Sequence, residues 1–352
     1  VKNDERFRAC LLGGAIGDAL GYPVEFMSLE QIKAQYGPEG ITNLTLDKYT
    51  RKALVSDDTQ MMLFTADGIV RGYERCSERG IGSFVGSGVY PAYLRWLYTQ
   101  TGHLDHEQWL RPERGLGNAA RRWILDVEEL FARRAPGLTC LSALESGKVG
   151  TMEEPLNDSK GCGGVMRVAP VGLFLYNDPE YAFRTGCEVA ALTHGHPTGY
   201  LAAGALALMI AELSNGNTME GSASSAMQEL TKWPHSEETL TAMEQAMELA
   251  DSSLAAEEAI TRLGEGWIAE EALAIALYSA LREEGFTQAL VVSVNHNGDS
   301  DSTGAICGNL LGARDGMAVI PEAWLNQLEM KDFIEEIADT LLRTFGRKER
   351  RH

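Results

Sequence analysis

Two short stretches constrain the fold of this chain more than any others: Val55-Ser56-Asp57-Asp58-Thr59 and, more than two hundred residues later, Asn295-His296-Asn297-Gly298-Asp299-Ser300-Asp301-Ser302-Thr303. Each crowds carboxylates and hydroxyls into a few positions ahead of a segment with helical periodicity. Alone, each also reads as a helix cap, because Ser or Asp before an apolar run satisfies the first free backbone N–H groups. Together they carry more acid than two caps need, and Gly298 and Gly304 flank the second. Oxygen donors packed this densely repel one another unless a cation lies between them, and Mg²⁺ or Mn²⁺ accepts carboxylate, hydroxyl and water ligands. The fold must therefore bring two distant helix starts to one place.

At 352 residues, 44% hydrophobic and 23% charged, the composition is globular and the chain is long enough for a sizeable core. A formal charge of −19 opposes binding to a phosphate backbone, so no nucleic-acid partner is expected. The basic run Arg347-Lys348-Glu349-Arg350-Arg351-His352 reads as a solvated tail. Six scattered cysteines (Cys10, Cys76, Cys140, Cys162, Cys187, Cys307) include no CxxC pair, which fits a reducing, cytoplasmic setting. The opening Val1-Lys2-Asn3-Asp4-Glu5-Arg6 lacks the basic-then-apolar run of a signal peptide. The most apolar stretch, Leu201 to Ile210, is too short to cross a bilayer and reads as a buried helix, so no membrane partner is expected.

Helical periodicity dominates. Phe7, Cys10, Leu11 and Ala15 share one face, Asp178 caps a segment opened by Pro179, and Pro197 opens the next. Helices are also expected over 60–70, 123–133, 218–232, 237–250, 256–262, 270–284, 303–313 and 332–345. The run Val291 to Val294 passes for a strand by propensity, while Phe286 to Asn295 reads equally as a buried helix. Glycine-rich patches at 80–88 and 147–164 look like loops within one unit. The expected fold is all-α: a single compact multi-helix domain over 1–352, its core about 5–345, with both acidic clusters at helix N-termini on one end of the bundle.

Three further stretches carry chemistry. Gly13-Gly14-Ala15-Ile16-Gly17-Asp18-Ala19-Leu20-Gly21-Tyr22-Pro23-Val24-Glu25 puts several glycines on or near one helix. Each costs roughly 1 kcal/mol there relative to alanine, which implies close backbone packing. Glu25 follows a proline turn among Tyr22, Val24, Phe26 and Met27, where burial would raise its pKa and suit it to acid or base work. Asp158-Ser159-Lys160-Gly161-Cys162-Gly163-Gly164-Val165-Met166-Arg167 is a loop whose backbone N–H groups can approach a phosphate, although its spacing is neither Walker nor dinucleotide type. In Thr193-His194-Gly195-His196-Pro197 the histidines lack the spacing of a zinc pair; one suits a substrate contact and the other a helix terminus.

In order along the chain, GDALGYPVE, SDDT, SKGCGGVMRVAP, THGHP and GDSDSTGAICGNLLGA resemble the ADP-ribosylglycohydrolase family, from about Phe7 to Gly312. That family includes the dinitrogenase reductase-activating glycohydrolases and the ADP-ribosyl-arginine and ADP-ribosyl-serine hydrolases. The resemblance implies an all-α fold with two Mg²⁺ or Mn²⁺ ions in a cleft. By position it assigns Ser56, Asp57 and Asp58 to one side of the metal pair and Asp299, Asp301 and Ser302 to the other. Glu25 matches the glutamate beside the ribose, Ser159 with the Gly161, Gly163 and Gly164 backbone matches the phosphate loop, and His194 matches a histidine of the ADP-ribose groove. Gly298 joins the substrate-binding set. Lys160 and Cys162 stand where serine-linkage hydrolases tend to carry an aromatic residue and an asparagine.

The resemblance implies a hydrolase that removes ADP-ribose from protein side chains, arginine-linked by preference, by water attack at the anomeric carbon. Glu25, Asp58 and Asp301 are the expected catalytic groups. ADP-ribose, an ADP-ribosylated protein and an ADP-ribosyltransferase are the corresponding partners. Two other functions fit parts of the chain. One is an ADP-ribose-binding or toxin-neutralising protein acting through loops at 80–88 or 105–117. The other is a phosphatase using Asp299-Ser300-Asp301-Ser302-Thr303 as a DxDxT nucleophile after a strand at 291–294.

Overall fold

A computed structural model of the chain describes residues 1–80, 83–105, 107–111 and 122–349. Its architecture follows from a glycine seam. The first helix, Asn3–Gly21, lies antiparallel against Ser300–Asp315, with Gly13 opposite Gly308, Gly17 opposite Gly304 and Gly21 opposite Ser300. A Cβ on Gly17 would fall 1.9 Å from the Gly304 carbonyl oxygen, and one on Gly308 would fall 2.0 Å from that of Gly13. At the Gly17–Gly304 and Gly13–Gly308 crossings neither backbone leaves room for a side chain, so the helix propensity given up by these glycines is exchanged for contact. The seam sets the end of the first helix beside the start of the Ser300 helix, which carries the second acidic cluster.

Asp57–Arg79 and Lys331–Glu349 pack on the first helix. On the other side, Pro197–Ser214 is a central core helix flanked by Pro179–Ala191 and Met219–Leu230. It is long and apolar enough to cross a membrane by length and composition, exceeding the stretch 201–210 read from hydropathy, yet 83% of it is buried inside the protein. Glu237–Ala250 and Ala269–Arg282 complete that side. Among the described residues the only β pairings are three isolated bridges, so the all-α expectation holds.

Several local expectations need correction. Residues 123–133 form two short 3-10 turns, Ile124–Asp126 and Glu128–Phe131, because Val127 between them is extended with ψ 102°. Phe286–Val294 is a helix, which removes the strand that a DxDxT phosphatase requires. The supposed loop at 80–88 holds a π-helical turn, Val85–Val89, while Ile81 and Gly82 lie outside the described residues. Of the loop 105–117, residues 106 and 112–117 lie outside them, as do 350–352 of the basic tail. Helices Leu29–Tyr36, Tyr90–Thr101 and Leu138–Glu145 are not among those expected from the sequence.

Candidate active site

Both acidic clusters begin helices, and both cap them. Ser56 is the N-cap of Asp57–Arg79, its Oγ accepting from the Asp58 N–H at 3.2 Å. Asp299 is the N-cap of Ser300–Asp315, its Oδ1 accepting from the Ser302 N–H at 3.2 Å. Capping leaves most of the acid unused. Asp57, Asp58, Asp299, Asp301, Ser302 and Glu25 all line one cleft of about 530 Å³. One oxygen from each of Glu25, Asp299 and Asp301 lies within 4.8 Å of the other two.

The electrostatics are those of several buried carboxylates held close together. Glu25 is pushed up to about 9, by burial first and then by the charges of Asp299 and Asp57. Burial pushes Asp57 up to about 8, while a hydrogen bond from the Gly137 N–H at 3.1 Å partly offsets it. Asp58 and Asp301 stand well above the usual carboxylate range, again by burial first and then by neighbouring aspartates. Asp58 Oδ1 and Glu25 Oε2 are buried and accept no hydrogen bond. Buried acceptors without donors, among mutually repelling acids, suit a hard divalent cation with oxygen ligands. These residues fit the metal chemistry that the sequence suggests. Ser56 does not line the cleft, and its hydroxyl lies 3.3 Å from Asp58 Oδ2.

Sequence reasoning missed Asp18. It is completely buried on the first helix and accepts from the Ser56 N–H, the Thr59 N–H and the Thr59 hydroxyl. Its own pKa rises to about 6, mainly through burial. The signal was available, since Asp18 is the sole charged residue between Arg8 and Glu25. Cys162 was also underrated: its thiol donates to Asp299 Oδ2 at 2.7 Å and sits 3.6 Å from the Ser302 hydroxyl.

Glu25 sits just after the 3-10 turn Tyr22–Val24. Its surroundings are more acidic than the apolar setting expected, because Phe26 is 75% exposed and stacks on Trp267 at the cleft edge. Gly161, Gly163 and His194 line the cleft as expected. Ser159 stands behind them, its Oγ accepting from the Gly161 N–H at 3.3 Å. Gly164 packs against Ala190 and the Gly199 carbonyl. Gly298 has a backbone role and is absent from the cleft lining: its φ is +129°, and a Cβ there would fall 2.0 Å from the Glu265 carbonyl oxygen. Of the two histidines, His196 takes the helix-terminus role, its Nδ1 accepting from the Thr198 N–H at a helix start. Lys160 does not line the cleft and is paired with Glu238 and Glu270.

Helix starts far apart in sequence deliver carboxylates to one cleft, the form of a hydrolase site. The profile of the family described as ADP-ribosylglycohydrolase matches residues 1–351, and the chain belongs to that family. It is a hydrolase that removes ADP-ribose from modified substrates. The chain is 26% identical to the ADP-ribosyl-[dinitrogen reductase] glycohydrolase of Rhodospirillum rubrum over 93% of this chain and 91% of that protein. It is 23% identical to the ADP-ribosylarginine hydrolase Tri1 of Pseudomonas putida over 96% of this chain and 78% of that protein. A solved structure described as an ADP-ribosylglycohydrolase-related protein complex shares the fold, with TM-score 0.63, 24% identity and 97% and 99% of the two chains covered.

Proposed function

We propose that the chain is a divalent-metal-dependent hydrolase of ADP-ribosyl-arginine in proteins, working at a binuclear Mg²⁺ or Mn²⁺ centre. The observation that carries this is the orphaned acid cluster: Asp58 Oδ1 and Glu25 Oε2 lack donors in a cleft that also holds Asp57, Asp299 and Asp301. Asp57 and Asp58, with Ser56 behind them, would hold ions on one side, and Asp299, Asp301 and Ser302 on the other. When bound, the ions supply Lewis-acid and positional catalysis to the ribose hydroxyls and a water. The bond from the anomeric carbon to the guanidinium nitrogen breaks with its electron pair going to nitrogen, water oxygen takes its place, and the water proton passes to Asp58 or Asp301 and from there to the departing neutral guanidine. Glu25 lies beside the cluster and orients the ribose or moves that proton. Gly161, Gly163 and His194 bind the diphosphate.

Arginine linkage is supported by kinship and by the commitment of Lys160 to Glu238 and Glu270, which keeps its ammonium from opposing a guanidinium leaving group. The name of the Pseudomonas putida relative points the same way. Six unbridged cysteines support a cytoplasmic location. The test is to incubate the protein with substrates ADP-ribosylated on arginine or on serine and to follow ADP-ribose release in Mg²⁺, Mn²⁺ and chelator. Release from arginine that stops in chelator is expected; release from serine alone, or release indifferent to chelator, overturns the proposal.

A further inference from the structure

Arg167 is fully buried, and among the described residues it forms no ion pair. Its guanidinium instead donates to Thr193 Oγ1 at 2.7 Å and to the Val189 carbonyl at 3.3 Å, with sulfurs of Cys140 and Met61 at 3.4 and 3.5 Å. The ring of Tyr93 lies 4.3 Å from it. Burying a cation without a carboxylate is costly, so its few polar contacts are strongly held.

A guanidinium has donors only, so Thr193 Oγ1 must accept from it. The threonine's own proton then goes to another atom. His194 Nδ1 lies 2.8 Å away, and the Cys140 sulfur, also beside Thr193, is a much weaker acceptor. An Nδ1 that accepts leaves the ring proton on Nε2. Burial, with the charge of Arg167, lowers the His194 pKa to about 3 and keeps the ring neutral. Nε2 faces the glycine loop: a Cβ on Gly163 would lie 3.2 Å from it and one on Gly161 3.4 Å. A side chain at position 163 would cover this nitrogen, which accounts for glycine there.

We propose that Arg167 and Thr193 are positioning residues that lock His194 as the Nε2–H tautomer, so that the imidazole presents one fixed N–H donor beside Gly163 to a phosphate oxygen of the ligand. The acceptor's identity rests on the ADP-ribose reading; the tautomer does not.

Long-range ¹H–¹⁵N correlation spectra of the ligand-free protein, with His194 assigned by His194→Gln, report the tautomer directly. The expected pattern is the neutral Nε2–H form at pH 7, unchanged down to pH 5. Thr193→Val should mix the tautomers and weaken binding of free ADP-ribose by about twofold, the factor by which an evenly mixed ring lowers the population of Nε2–H donors. Thr193→Ser should restore both, and the circular dichroism of all three should match. An Nδ1–H or charged ring in the parent protein overturns the proposal, and that measurement needs no variant to fold. So does a Thr193→Val protein with parental tautomer and affinity. If the parent shows the Nε2–H form and binds no ADP-ribose, the relay stands and the reading of the ligand fails.

Discussion

Asp18 accepts the backbone N–H of Ser56 with both carboxylate oxygens, each at 3.0 Å, and so ties the first helix to the turn that presents Asp57 and Asp58. Removing it strands the N–H groups of Ser56 and Thr59 in the core. Asp18→Ala should cost about 1–3 kcal/mol in urea unfolding. It should also weaken Mn²⁺ binding measured by electron paramagnetic resonance, because the turn loses its anchor. Parental Mn²⁺ affinity in a destabilised Asp18→Ala protein would show that the turn holds itself.

The raised carboxyl groups give the metal-free protein a defined pH response. Asp18, Asp57 and Glu25 titrate at about 6, 8 and 9 in the fold, against roughly 4 in an unfolded chain. Between those limits the folded state holds more protons than the unfolded state, so stability falls as pH rises from about 4 to 9. Metal binding requires ionised ligands and must release protons. Calorimetry at pH 7 in buffers of different ionisation enthalpy should show that release, which should fade above pH 9. Equal heats in all buffers at pH 7 would contradict the assignment.

Asp301→Asn separates repulsion from ligation. Asp301 is raised by burial and by Asp58 and Asp299, so neutralising it should raise the thermal midpoint of the metal-free protein. The same change should abolish the further rise produced by Mg²⁺ or Mn²⁺, with the helical spectrum retained. A variant still stabilised by metal to the parental extent would remove Asp301 from the ligand set.

Glu25→Gln keeps the shape of the side chain and removes its proton chemistry. Hydrolysis should fall by about 10²–10⁴-fold while the affinity for free ADP-ribose changes little. Parental turnover would reduce Glu25 to a turn residue, whereas a matching loss of affinity would make it an orienter of the ribose.

Lys160 offers the opposite expectation. Because its ammonium is committed to Glu238 and Glu270, Lys160→Ala should leave ADP-ribose affinity within about twofold but cost about 1–3 kcal/mol of stability, since it strands the buried Glu270 carboxylate. A large loss of affinity would mean that the side chain swings to the phosphate.

How much of this the sequence revealed depends on which physical effect a residue obeys. Asp57, Asp58, Asp299 and Asp301 were visible because they exceed what two caps need, and the seam glycines because helices seldom tolerate so many. Asp18 was hidden in plain view as one acid on an apolar helix, where a cap for a different helix looks like any core polar residue. Gly298 has a backbone reason to be glycine that the sequence does not display: a positive φ and the nearby Glu265 carbonyl. The region 123–133 has helix-like apolar spacing, but local propensity does not report the extended backbone of Val127.

The glycine seam also has a consequence for biogenesis. It joins the first helix to one of the last, so the ribosome finishes Glu25, Asp57 and Asp58 long before Asp299 and Asp301 exist. A nascent or truncated chain carries half of an acid cluster and a first helix whose glycine groove has no partner. On the proposed reading, an acid cluster complete enough for hydrolysis forms only once Ser300–Asp315 has closed on Asn3–Gly21.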